Sequence, residues 1–361
     1  MKQFKRHRDY GFFDQDFRLS KLSKLGDPLE KLNKSIDFEI FRYLLESTLT
    51  KLAKGKGGRR PYDYVLMFKI LILQRYYNLS DDQIEYQIND RMSFMRFLNL
   101  SIADDIPDSK TVWNFKEQLI ELEVFESIFL LFLNQLQKLG LIINEGKIID
   151  ASFIEVPIQR NSKEKNDLIK EGKGDKLWQD EPHKKKQKDI DARWTKKNNI
   201  NYYGYKNHAK VDQKSKIITG FVVTDASVHD SQVINNLLDV RDKGENFYAD
   251  SAYTGPKQEE IIEEKAMINK VCEKGVKNKP LTEVQKESNR EISKIRSRVE
   301  HIFGFMENSM NGMYLNSIGK KRISAAICLM NLTYGYFLKP FRFGGLKFSD
   351  FSDFITYNLY S

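Results

Sequence analysis

Two apolar runs in the chain end on a carboxylate. In KIID (147–150) Ile148 and Ile149 lead into Asp150, and in NFYAD (246–250) Phe247, Tyr248 and Ala249 lead into Asp250. A third acid, Glu300, lies in REISKIRSRVEHIFGFM (290–306), where Ile292, Ile295, Val299, Ile302, Phe303 and Met306 draw an apolar stripe at helical spacing. Glu300 borders that stripe, and Arg296 stands one turn before it on the same side. Each acid has an ordinary reading on its own. An Asp after a strand is usually a turn former or cap, and Glu300 with Arg296 could be a surface ion pair of small value. Taken together, three carboxylates from two strand ends and one helix suit divalent-metal chemistry on a phosphodiester. Magnesium needs only a few carboxylates and keeps several waters. Two such ions about 3.5–4 Å apart can activate a nucleophile and stabilise a leaving oxygen. Clustered carboxylates also repel one another, which favours a cation between them.

That chemistry requires the strand ends to meet, and from residue 141 the apolar period changes from 3.6 to 2. Residues 146–158 alternate as a strand. YYGYKNHAKVD (202–212) and KIITGFVVTDAS (216–227) read as two more around a polar turn at Gln213–Ser215. HDSQVINNLLDVRD (229–242) reads as a helix, with Asp230 rather than His229 as its cap. Residues 246–253 form a fourth strand, 255–266 a helix opening at Gly255–Pro256, 267–275 a fifth strand, and roughly 282–308 a long helix. The fold class is α+β, with a mixed five-stranded sheet flanked by helices and a basic, low-complexity insertion at 159–200. In open sheets of this kind functional groups collect at the strand ends.

Ahead of the sheet the pattern is helical. Residues 1–61 are a polar, helix-leaning segment ending in the linker KGKGGRRP (54–61), which lacks the Gly-Lys-Ser/Thr spacing of a phosphate-binding loop. Residues 62–140 carry YVLMFKILILQRYY as a buried helix, a capping box at Ser80 and Gln83, a cap at Asp108 or Ser109, and a stop at Gly140. Short helices with tight turns fit a DNA-binding helix-turn-helix module with Lys110 and Asn114 on its reading helix, and an ordinary helical bundle gives the same pattern. The sheet region spans 141–335, and 336–361 form a tail that begins helical and turns aromatic-rich.

The charge is uneven. The 361 residues carry a net +9, and between Gln159 and Lys210 there are 15 Lys and Arg against 8 Asp and Glu. A basic cluster of this kind suits a polyanionic partner, although a solvated loop would look similar. Arg193, Lys196, Lys197, Lys206 and His208, with Arg59 and Arg60 of the linker, are the candidates for tracking a DNA backbone. Trp178 and Trp194 could stack on a splayed base or form a local cluster. No apolar run approaches a bilayer span, and the N-terminus has no apolar signal segment, so a soluble intracellular protein is expected. Two cysteines and five histidines without zinc spacing exclude a disulfide framework or a zinc site.

The ordered set KIID, NFYADSAYTG and SKIRSRVEHIFG resembles the DDE transposases of bacterial insertion sequences, the family-five group with an extra N-terminal helical domain most of all. The likeness covers most of the chain. GRRPYDYVLMFKILILQRYYNLSDDQIEYQINDRMSFMRFLNL followed by IPDSKTVWNF is similar to that group's N-terminal domain, IDARWTKKNNINYYGYKNHAKVD and VVTDASVHDSQV to its core, and SIGKKRISAAICLMNLTYG to its C-terminal signature. The resemblance implies a ribonuclease-H-like fold and a catalytic, metal-binding triad of Asp150, Asp250 and Glu300. It also implies Arg296 as a phosphate contact and magnesium as the ion, in pairs, with manganese able to substitute. The substrates would be double-stranded DNA at the element's terminal inverted repeats and at a target, held by a homodimer acting in the cytoplasm on nucleoid DNA. The reaction would be hydrolytic strand cleavage, then attack of the freed 3′-hydroxyl on the target. Ser293, Glu307 and Gly335 depart from the family's usual Tyr, Lys and Asn. Those departures put the handling of the flanking strand in question and leave room for a domesticated relative that binds DNA without cutting it.

Overall fold

Caps and apolar periodicity set the first half of the protein. The computed structural model describes residues 11–50, 60–275 and 280–343. Ahead of the sheet lie α1 (Asp14–Leu25), α2 (Pro28–Ser35), α3 (Arg42–Leu49), α4 (Tyr64–Tyr76), α5 (Asp81–Asp90), α6 (Met92–Leu98), α7 (Ser109–Glu121) and α8 (Phe125–Lys138). α4 is apolar on nearly every side and accordingly buried, with Asp63 capping it through Leu66 N–H. Ser80 and Gln83 form the expected capping box, and Asp108, not Ser109, caps α7. Gly140 follows α8 with φ +66°, a left-handed conformation that ends the helix.

The second half is a six-stranded mixed sheet: β1 (Gly146–Glu155), β2 (Arg193–Lys197), β3 (Ile200–Asp212), β4 (Ile218–Asp225), β5 (Asn246–Ala249) and β6 (Ile268–Val271). Central β1 pairs antiparallel with β3 and parallel with β5, which is parallel to β6. β3 also pairs antiparallel with β2 and β4. The alternation predicts five strands. The sixth, β2, lies inside the stretch expected as an insertion, because RWTKK has no apolar alternation to reveal it. Its hairpin with β3 turns at Asn198 and Asn199, both at positive φ, as a two-residue primed turn requires.

The helices of this half are α9 (Lys163–Lys170), α10 (Pro182–Lys185), α11 (Ile234–Leu237), α12 (Pro256–Glu264), α13 (Glu283–Asn308) and α14 (Lys320–Phe343). Residues 159–192 are folded rather than loose. Trp178 is buried, with the Lys165 and Lys188 ammonium groups 5.4 and 5.6 Å from its ring. Asp189 and Asp191 accept from Gly319 and Lys320 N–H, which pins this unit to the start of α14. The helix expected over 229–242 is broken into a 3-10 turn, the four-residue α11 and a second 3-10 turn (Val240–Asp242). Asp239 and Asp242 break it, because their carboxylates cap backbone N–H groups at the second turn and bind the buried Lys210 ammonium.

Side-chain alternation gives the sheet two faces. Ile148 and Ile154 of β1 face a core shared with the N-terminal helices, and Ile149 faces a smaller core built with α11 and α12. α13 covers the first face with Ile292, Val299, Ile302 and Met306. α14 packs against α4, α2, α8 and β4, so one apolar core runs through sheet and helices together. It also carries the helix through residue 335 to Phe343; residues 344–361 lie outside those described.

Candidate active site

Register decides where the first two acids point. The parallel ladder of β1 and β5 ends with Ile148 opposite Tyr248. Asp150 and Asp250 stand two residues beyond that pair on their respective chains, and a step of two restores the same face. Both therefore lie on the α13 side of the sheet. Asp250 lies past the strand end, where the expected longer strand gives way to a 3-10 turn (Ser251–Tyr253) that it caps through Ala252 N–H at 2.9 Å. The Oδ1 of Asp150 accepts from Ala151 N–H at 2.8 Å, and its Oδ2 lies 3.3 Å from Arg296 Nη2. Burial pushes the Asp150 carboxyl above the usual range; the Arg296 guanidinium and the Ala151 N–H oppose this, and the Asp250 charge adds to it.

The third acid is elsewhere. Glu300, one turn beyond Arg296 on α13, is exposed. Among the described residues no three His, Cys, Asp or Glu side chains gather closely enough to hold one metal ion. The structure brings together Asp150, Asp250 and Arg296 and leaves Glu300 outside.

A residue with no distinguishing local signal, Tyr253, adjoins the pair. Tyr253 is 1% exposed, and among the described residues its hydroxyl has no hydrogen-bond partner. Burial and the charges of Asp230, Asp150 and Asp250 push its ionisation well up. A phenol in a segment expected to be strand looks like an ordinary core residue; only the turn after Asp250 swings it toward the acids.

Asp230 is not the cap it was expected to be. His229 caps the turn through Ser231 N–H, while Asp230 accepts from the Lys206 ammonium at 2.8 Å.

Residues 144–335, more than half of the chain, match the family model described as "Transposase DDE domain". The protein belongs to the DDE transposase family. Residues 17–118, from α1 into α7, match a second model, "Transposase domain (DUF772)". No solved structure matches the chain. A transposase with this pair of matches has the helical region followed by the DDE region in the order found here, on a ribonuclease-H-like mixed sheet.

The aspartate pair suits a divalent ion. Two neighbouring carboxylates, each with one oxygen not taken by backbone, are sufficient for magnesium bound in part by substrate phosphate.

The basic candidates of this transposase separate into two groups. Lys196 and Lys197 on the β2–β3 hairpin are exposed, as are Arg60 and, on α7, Lys110 and Asn114; Arg59 lies outside the described residues. Lys197 is near enough to Asp150 to lower its carboxyl, and its ammonium is 5.7 Å from the Phe153 ring, which stacks on Tyr202 at 4.2 Å. Trp194 is 48% exposed on the same hairpin. Arg193, Lys206 and His208 are inside the fold instead. The Arg193 guanidinium donates to the carbonyls of Ile190, Ala192 and Ile169. Lys206 donates to Val228 carbonyl and Asp230. His208 is fully buried with Nε2 2.9 Å from Thr224 Oγ1, and burial lowers its pKa to about 4.

Proposed function

We propose that this transposase binds the terminal inverted repeats of an insertion sequence, cuts the strands there in a divalent-metal-dependent reaction, and joins the freed ends to target DNA. The observation carrying this reading is the placement of Asp150, midway along β1, and Asp250, just past the end of the adjacent parallel β5, on one face of the sheet inside a chain of this family. Asp150, Asp250 and Glu300 are the proposed catalytic and metal-holding residues. Magnesium, or manganese in its place, would lower the pKa of a bound water and offset charge on the phosphate. Asp250 is held in orientation by its own cap on Ala252, and Asp150 by Ala151 N–H. Arg296 offers a guanidinium to the phosphate being attacked, as bidentate geometry favours. Lys196 and Lys197 carry the backbone past the site, Lys110 and Asn114 of α7 read the repeat, and Arg59 and Arg60 of the linker add further contacts to the DNA backbone.

In the proposed division, residues 1–61 lead in, 62–140 bind DNA, 141–335 carry the chemistry and 336–361 form a tail. Two copies would hold the two ends, in the cytoplasm and on nucleoid DNA. Among the described residues no helix is long and apolar enough to cross a membrane.

One observation favours a second reading, a domesticated relative that binds DNA without cutting. Glu300 is exposed, and among the described residues it completes no metal-holding group with the aspartates. Cleavage of a labelled duplex carrying the element's terminal repeat, with magnesium, separates the two. Nicking at the repeat end by the wild type, lost in Asp250→Asn with binding intact, supports the transposition reading; binding without nicking in both supports the other.

A further inference from the structure

The geometry points to Arg296 as a latch that keeps the metal site closed until phosphate arrives. This inference rests on the reading of Asp150 and Asp250 as metal-holding residues. Both oxygens of Asp150 are engaged, Oδ1 by Ala151 N–H and Oδ2 by Arg296 Nη2 at 3.3 Å. The oxygen a divalent ion would need therefore already faces a cation, and a second cation there meets direct repulsion.

The guanidinium is poorly satisfied in return. Among the described residues its buried Nε has no hydrogen-bond partner, and its single ion pair is the long one to Asp150. A guanidinium holds five N–H donors in a fork that matches phosphate bidentately. A DNA phosphate offers this fork more than Asp150 does, so DNA draws Arg296 off and frees Oδ2. Because α13 presents Glu300 one turn from Arg296 on the same side, the phosphate that moves Arg296 lies on the path by which Glu300 can join the aspartates. Metal binding and DNA binding become one ordered event, and the free protein does not hold a charged, nuclease-competent site.

The test is manganese affinity of the full chain without DNA, by calorimetry. Arg296→Gln removes the cation while keeping much of the side chain's length. The expected result is binding at least about tenfold tighter than wild type, with that gain abolished in Arg296→Gln/Asp150→Asn. Wild type should gain affinity on addition of a short duplex of random sequence, an increase that Asp150→Asn fails to show; this second measurement stands even where the Gln variant folds poorly. Equal affinity in wild type and Arg296→Gln, with no gain from the duplex, overturns the latch. If instead Asp150→Asn leaves manganese binding unchanged in every background, the metal site itself is misassigned and the latch falls with it.

Discussion

Asp150, within β1, and Asp250, one residue past the end of the adjacent parallel β5, each stand two residues beyond the pair formed by Ile148 and Tyr248. This single register fixes their shared face, and a one-residue slip would send one of them into the opposite core. The proposed chemistry depends on that register.

The cost of holding these acids together should be visible in stability. Asp150 is raised above its usual carboxyl range, chiefly by burial, so folding disfavours its ionised form relative to the unfolded chain. The protonated form is the stabilising one, and its contribution is lost as pH rises through the folded-state value. Asp150→Asn should cut at least about a thousandfold more slowly yet melt at pH 7 no lower than wild type. Thermal melts and single-turnover cleavage on the same preparations check both halves.

Arg193 and the hairpin lysines should behave oppositely. Arg193→Ala leaves three carbonyls without their donor and should lose about 1–3 kcal/mol of stability. It should leave the salt dependence of DNA binding unchanged. Lys196→Ala and Lys197→Ala should each reduce the slope of log affinity against log salt by about 0.9, without a change in melting. Paired salt titrations and melts distinguish them.

His208 gives a pH signature. Its folded-state value of about 4 lies below the ordinary 6.5, so the neutral ring is the stabilising form. That contribution is complete above about pH 6.5 and falls away as pH drops toward 4. Between pH 7 and pH 4.5, His208→Gln should lose roughly 2 kcal/mol less stability than wild type, read from urea unfolding at both pH values.

Gly204 has a backbone reason to be glycine. It lies where β3 leaves β2 for β1, at φ +148°, and a Cβ there would meet Ile154 carbonyl at 2.2 Å. Gly204→Ala should destabilise by roughly 2–4 kcal/mol. An unchanged urea midpoint would contradict this close approach.

The sequence shows the elements that bury apolar residues with a clear period, and the carboxylates that end them. α4, the cap at Ser80, β1 and α13 follow from local pattern, and Asp150 and Asp250 stand out because a charge follows an apolar strand. What the pattern hides is pairing at a distance. Lys206 and Lys210 look like surface cations in a basic stretch, but Asp230, Asp239 and Asp242 reach them across the smaller core. Lys147 is buried between Asp212 and Glu245 in the same way. A buried charge needs such partners, and no local rule announces them. The direction of Glu300 is hidden for a related reason: helical spacing places it at the border of the buried face, where a modest rotation decides between site and solvent.

The most direct measurement replaces magnesium by ferrous iron and maps where radicals generated at the bound ion cut the polypeptide. An ion held by the aspartate pair cuts the chain beside Asp150 and beside Asp250, with both cuts lost in Asp150→Asn, and with a further cut near Glu300 once terminal-repeat DNA is added. Cuts confined to other segments, or cuts at 150 and 250 that persist in Asp150→Asn, would contradict the assignment of the pair as the metal site.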